Sequence, residues 1–188
     1  MRNAAVASRT GHFNRTSVIG HEAWKRAGLF AATGCLALSI GILVYLMDRD
    51  ASQAALVPLI TALAGRNAFG VLGHWLPSFV HPFAFSLFTA AALSPGAAPR
   101  YVACAAWCAV NVGFELAQHT AFKSQWVLVL SAGAGDSVMT RPVLNYLLHG
   151  TFDFGDVLAA ILGALAAVVL MQFVDHRLET HHASQQVH

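Results

Sequence analysis

Charge is what this chain has least of. Only 11% of its 188 residues are Asp, Glu, Lys or Arg, while 56% are hydrophobic, against roughly a quarter charged in an ordinary soluble domain. That balance predicts a membrane protein. The net charge of +2 is small and its basic residues are scattered, which excludes nucleic acid as a partner class. No long polar linker divides the sequence, so one helical unit is expected. Cysteine is scarce as well. Cys35, Cys104 and Cys108 all fall inside apolar segments, a pattern that gives no disulfide framework and reads as buried structural thiols. A compact metal or catalytic motif such as H-E-x-x-H is absent, and the expectation is that the chain carries no cofactor and no metal.

What is present is a series of long apolar runs. About 20 helical residues, at a rise of about 1.5 Å each, cross a hydrocarbon core of about 30 Å. Four runs approach this length: about 28–47, 76–93, 101–118 and 156–174. The expected fold is an all-α membrane protein, a bundle of four transmembrane helices with short interfacial or re-entrant helices in the outer loops. Residues 1–27 read as a basic cytoplasmic tail carrying Arg2, Arg9, Arg15, Lys25 and Arg26, with a short interfacial helix at its end. The first span reads as a retained anchor, because no clean cleavage signature follows it. Residues 28–175 form the single transmembrane domain, and 176–188 a polar tail containing His181, His182 and His188.

Breakers punctuate the spans. Pro77 marks the expected start of the second span and Pro82 a kink beside His81. Ser94 to Arg100 holds Pro95, Gly96 and Pro99 and reads as a reversing loop. Between the first two spans, Ala54 to Ala64 is too short to cross, as are Trp126 to Leu130 and Pro142 to Leu148 between the last two. With the N-terminus inside, seven basic residues lie on the cytoplasmic side (Arg2, Arg9, Arg15, Lys25, Arg26, Arg100, Arg177) and four outside (Arg49, Arg66, Lys123, Arg141). The expected location is the bacterial cytoplasmic membrane, multi-pass, with both termini cytoplasmic. Expected partners are the lipid bilayer and a second membrane protein or another copy of the chain.

On this topology the polar residues bordering the spans share one membrane face: His81, Asn111, Glu115, Gln118, His119, Asp153 and Asp156. Ionisable groups near hydrocarbon are expensive and mark functional sites by default. Asn111, Glu115 and Gln118 follow at four and three residues, so they share a helix face. Three accounts of the cluster stand side by side. Glu115 and His119, with Asp156 and His81, offer oxygen and nitrogen ligands to a metal. Paired carboxylates with a histidine can act as general acid and base, or carry protons. In the third account Asp153 and Asp156 satisfy the orphan N–H groups of a helix start, while Asn111 and Gln118 hydrogen-bond between helices. In the last span Ala159, Gly163 and Ala167 form a small-residue stripe suited to close helix packing. The aromatic residues Trp75 and Trp126 fit an interfacial belt, and Trp107 fits helix packing.

Three features in order carry a resemblance. They are His81-Pro82-Phe83-Ala84-Phe85, then Glu115-Leu116-Ala117-Gln118, then Gly150-Thr151-Phe152-Asp153-Phe154-Gly155-Asp156-Val157-Leu158 with Gly163 seven residues after Asp156. They resemble the VanZ-like family of small bacterial membrane proteins, over residues 74–170. The sequence departs from that pattern at Ala160, where an asparagine is expected, in a longer connection before the fourth span, and in lacking an arginine just before Asp156. The resemblance implies a four- to five-helix inner-membrane protein with a link to glycopeptide-antibiotic resistance at the cell surface. Function is therefore expected to be an accessory or scaffold role in the cell envelope, non-enzymatic, binding a lipid, an envelope precursor or a membrane partner through the polar cluster. The alternative is a membrane-embedded enzyme or proton-coupled carrier using Glu115, His119 and Asp156.

Overall fold

Apolar runs with no period-two alternation fold as helices, because only a helix satisfies its own backbone groups without water. The computed structural model describes residues 3–48, 69–93, 97–133 and 150–185. Helices α1 (Asn3–Asp48), α2 (Gly70–Ala92), α3 (Ala97–Gln118), α4 (Thr120–Gly133) and α5 (Phe154–Gln185) account for nearly all of them, and no strand occurs among the described residues. The protein is all-helical. The stretches over Ala23–Tyr45 and Phe154–Thr180 are long and apolar enough to cross a membrane.

Several boundaries differ from those the sequence predicts. The helix expected to begin at Gly28 begins at Asn3, and the one expected to end at Val174 continues to Gln185. Both extensions lack an internal Pro, so nothing in the backbone chemistry stops a helix already nucleated in the apolar run. Pro77 does not open α2. The helix starts seven residues earlier, where Gly70 takes a left-handed φ of +52° that only glycine adopts cheaply. Pro77 and Pro82 are both interior. Each removes one helical hydrogen bond, leaving the Gly73 and Ser78 carbonyls without their i+4 donors. Packing on three sides of α2 offsets that loss. The expected loop at 94–100 is also shorter, since α3 starts at Ala97 and Pro99 occupies its first turn, where a missing N–H costs nothing. The short apolar run at Trp126 belongs to the 14-residue α4, which extends into the expected Ala132–Gly135 link. The short helices expected at Ala54–Ala64 and Pro142–Leu148 lie outside the described residues.

The central element is α2, which packs against α1, α3 and α5, while α3 also packs against α5 and α4. The core joins Phe30 of α1, Leu87 and Ala90 of α2, Cys104 of α3, and Ala167 and Met171 of α5. Side-chain size runs the opposite way to that of a water-soluble bundle. On α5 the buried positions include Ala159, Ala160, Gly163, Ala164 and Ala167, whereas Leu158, Ile161, Leu162, Leu165, Val169 and Phe173 are exposed. Small residues inside bring backbones close, and large apolar ones outside are the arrangement that suits a hydrocarbon solvent. Of the most apolar windows of α1 and α5, only 22% and 33% is buried within the protein. A soluble core helix of that composition would be mostly buried.

Among the described glycines the tightest approach to a neighbouring helix is at Gly163. A Cβ there would collide with the Phe79 carbonyl oxygen and also press on the Pro82 ring. Gly34 meets Phe88 and Gly41 meets Val80 in the same way on α1, so α2 is held tightly from both sides.

Candidate functional site: a polar cavity between three helices

A cavity of about 340 Å³ opens between α2, α3 and α5. Its lining combines Ser78 and His81 from α2, Asn111, Phe114 and Glu115 from α3, and Asp156 and Ala160 from α5. Four residues singled out in the sequence, His81, Asn111, Glu115 and Asp156, therefore meet at one place although 75 positions separate the first from the last. Helical spacing explains the α3 part, since Asn111 and Glu115 are one turn apart and face the same way. The α5 part follows from the helix start, because Asp156 stands in the first turn.

The chemistry of the lining is rich in acceptors. Glu115 is buried. The Oδ1 atom of Asp156 is shut away from the surface with no hydrogen-bond partner among the described residues, an expensive state for a carboxylate oxygen unless something else meets it. Asn111 donates its amide Nδ2 to the Trp107 carbonyl at 2.8 Å, which leaves its oxygen as the group to offer. Pro82 strips the Ser78 carbonyl of its helical donor. Among the described residues no Lys or Arg lines the cavity, and His81 is its one basic side chain. The ring of His81 stacks at 6.1 Å on Phe85, and Phe85 stacks at 4.9 Å on Trp107, whose indole N–H donates to Thr89 Oγ1 at 2.9 Å. This aromatic ladder ties α2 to α3 along the flank of the cavity.

The remaining predicted residues do other things. Gln118 is buried outside the lining, and its Nε2 finds no partner among the described residues. His119 lies off the cavity: its carbonyl accepts from the Phe122 and Lys123 N–H groups and its Nδ1 from the Ala121 N–H at 3.3 Å, so it caps the start of α4. Its ring meets Phe152 edge-on at 5.1 Å. Asp153 caps α5, accepting from the Gly155 N–H at 2.7 Å and from the Trp75 indole at 3.2 Å. The Gly155 N–H first, then the Trp75 indole and the nearby His74 hold its carboxyl below the usual aspartate value, against a smaller opposing effect of burial. The two aspartates thus divide the work, with Asp153 bound to the helix start and Asp156 turned to the cavity. Ala159 and Ala167 are buried, Ala167 within the core cluster and Gly163 against α2.

Among the described residues no three of His, Cys, Asp and Glu converge as metal ligands do. Ser78 and Phe114 were not apparent from sequence; the prolines and the Asn111–Glu115 repeat hint at the cavity, but no spacing rule points to its wall. Comparison with protein families, with curated proteins and with solved structures gives no match.

Proposed function

We propose that the chain is a multi-pass protein of the bacterial cytoplasmic membrane, a four-span bundle of α1, α2, α3 and α5, which binds the polar head of an envelope lipid or lipid-linked precursor in the cavity. The role is that of an accessory or scaffold protein of the cell envelope. The VanZ-like resemblance of His81, the Glu115–Gln118 pair and the Asp156–Gly163 interval supports the same reading.

The observation that carries it is the sign of the cavity. Two carboxyl side chains, the Asn111 amide and Ser78, whose carbonyl has lost its helical donor to Pro82, line the cavity with one histidine among the described residues. Such a lining repels phosphate and carboxylate and accepts from donor-rich groups, that is hydroxyls and amines. A sugar or amino head group fits this chemistry. Two lining residues, His81 and Phe114, are themselves exposed, so the cavity is approachable from the flank of the bundle, where a ligand carried on a lipid chain travels.

The test is native mass spectrometry of the full chain purified in mild detergent, with Glu115→Gln and Asp156→Asn variants. The expected result is a co-purifying lipid bearing hydroxyl or amino groups that is lost in the double variant while helicity is retained. Unchanged co-purification in the double variant refutes the reading. The enzymatic or carrier alternative must use His81 in place of His119, which caps α4.

A further inference from the structure

The polar cavity occupies one end of the bundle; the other end has the opposite sign. There Arg100 of α3 donates both guanidinium nitrogens to Asp175 of α5, at 3.2 and 2.8 Å. Arg26 of α1 approaches the same carboxylate through Nε at 3.0 Å. The Arg100 side chain is only 5% exposed, and Arg26 and Asp175 are 22% and 21% exposed. Beside them lies a cavity of about 200 Å³ lined by Trp24, Arg26, Ala90, Leu93 and Arg100 among others, with no acidic residue among the described residues that line it.

We propose that this second cavity binds a phosphate-class anion, supplied by a lipid phosphodiester or by free phosphate. The two sources share one chemistry. Among the described residues two guanidiniums face one carboxylate, which leaves a surplus positive charge on these three groups. A structural ion pair needs one arginine, and Arg100 already satisfies Asp175 with two parallel bonds. Arg26 is the surplus partner. Its Nε lies 3.0 Å from the Asp175 carboxylate but is buried without a hydrogen-bond partner among the described residues, and Arg26 lines the cavity, so its guanidinium donors are left for a ligand there. A guanidinium fork matches phosphate oxygens in pairs. Trp24, 80% exposed beside the cavity, has the amphipathic ring that settles at headgroup depth, and basic pockets between transmembrane helices on the cytoplasmic side take anionic head groups. The lipid source rests on the membrane reading above; the anion site does not.

The experiment is thermal unfolding of the full chain in neutral detergent micelles. The micelles are doped with phosphatidylglycerol or with the phosphate-free lipid diacylglycerol, or the buffer is supplemented with inorganic phosphate against chloride at matched ionic strength. The variant Arg26→Gln keeps the Arg100–Asp175 pair, and Arg26→Lys keeps the charge but not the fork. Phosphatidylglycerol or phosphate should raise the midpoint of the wild type, and Arg26→Gln should weaken the apparent affinity about tenfold or more, the worth of a charged hydrogen bond, with Arg26→Lys between. A response to phosphatidylglycerol alone identifies the lipid as source, and a response to phosphate identifies the free anion. Equal response to both lipids with none to phosphate, or an Arg26→Gln variant that responds like the wild type, overturns the site. Carbonate extraction of cell membranes is run beside it: release of the chain overturns the membrane reading, while retention with no anion response overturns the anion site alone.

Discussion

Replacing Gly163 by alanine is the sharpest probe of the α2–α5 contact beside the cavity. The added methyl would fall on the Phe79 carbonyl oxygen and against the Pro82 ring. Neither can yield, one being backbone and the other a proline fully enclosed by the bundle. The helices must therefore separate by on the order of 1 Å, and a gap of that size forfeits about a quarter to a half of each dispersion contact it opens. Overpacking of this kind costs about 3 kcal/mol at the upper end of its usual range. Alanine returns about 1 kcal/mol through its better helix propensity, which leaves a net loss of about 2 kcal/mol, close to thirtyfold in the folding equilibrium. Gly28 and Gly113 supply the internal control. Both are exposed and a Cβ at either meets nothing within 4 Å, so alanine there keeps only the propensity gain and should stabilise by up to about 1 kcal/mol. Unfolding in mixed dodecyl sulfate and neutral detergent micelles, followed by tryptophan fluorescence, reads all three. If Gly163→Ala is as stable as the wild type or shifts the same way as Gly28→Ala, the close approach is not what holds α2 to α5.

Three further outcomes are expected. Asp175→Asn strands the buried Arg100 guanidinium and should cost about 3 kcal/mol, whereas the double change Arg100→Leu with Asp175→Leu should recover much of it, as measured by the same unfolding series. Asp153 has a carboxyl pKa held below the usual value of 3.8, so its contribution to stability is fully present above that value and is lost as pH falls through the lower folded-state value. An Asp153→Asn variant should accordingly show a shallower acid limb in its stability profile, and an identical limb would show that the α5 cap does not titrate as argued. In a background with Cys35, Cys104 and Cys108 replaced by alanine, single cysteines at Ser124 and Glu179 should react with an impermeant maleimide from opposite sides of the membrane; labelling from one side refutes the four-span topology.

Class of fold and the identity of the polar residues were legible in the sequence, because both depend on composition and on local periodicity. Scarce charge and long apolar runs point to helices in a hydrocarbon solvent whatever the tertiary arrangement, and the i, i+4 spacing of Asn111 and Glu115 puts them on one face without reference to any neighbour. Helix ends were less legible. Pro77 has the chemistry of a helix start, and only the packing of α2 against three partners shows why the helix runs through it. The division between Asp153 and Asp156 had no sequence signal, since both sit at the same helix start, and it is the Trp75 indole, 78 positions away, that engages one of them. His119 looked equal to His81 as a candidate, and the turn into α4 made it a cap. The Arg26–Asp175–Arg100 cluster was invisible for the same reason. Its three members read locally as charges at the ends of spans, and a long-range ion pair has no periodicity to betray it. The sequence alone determined that the chain is helical and unusually apolar, and which of its side chains would be costly to bury among apolar ones. Tertiary structure decided which of them meet, because that depends on how closely Gly163, Gly34 and Gly41 let the helices approach.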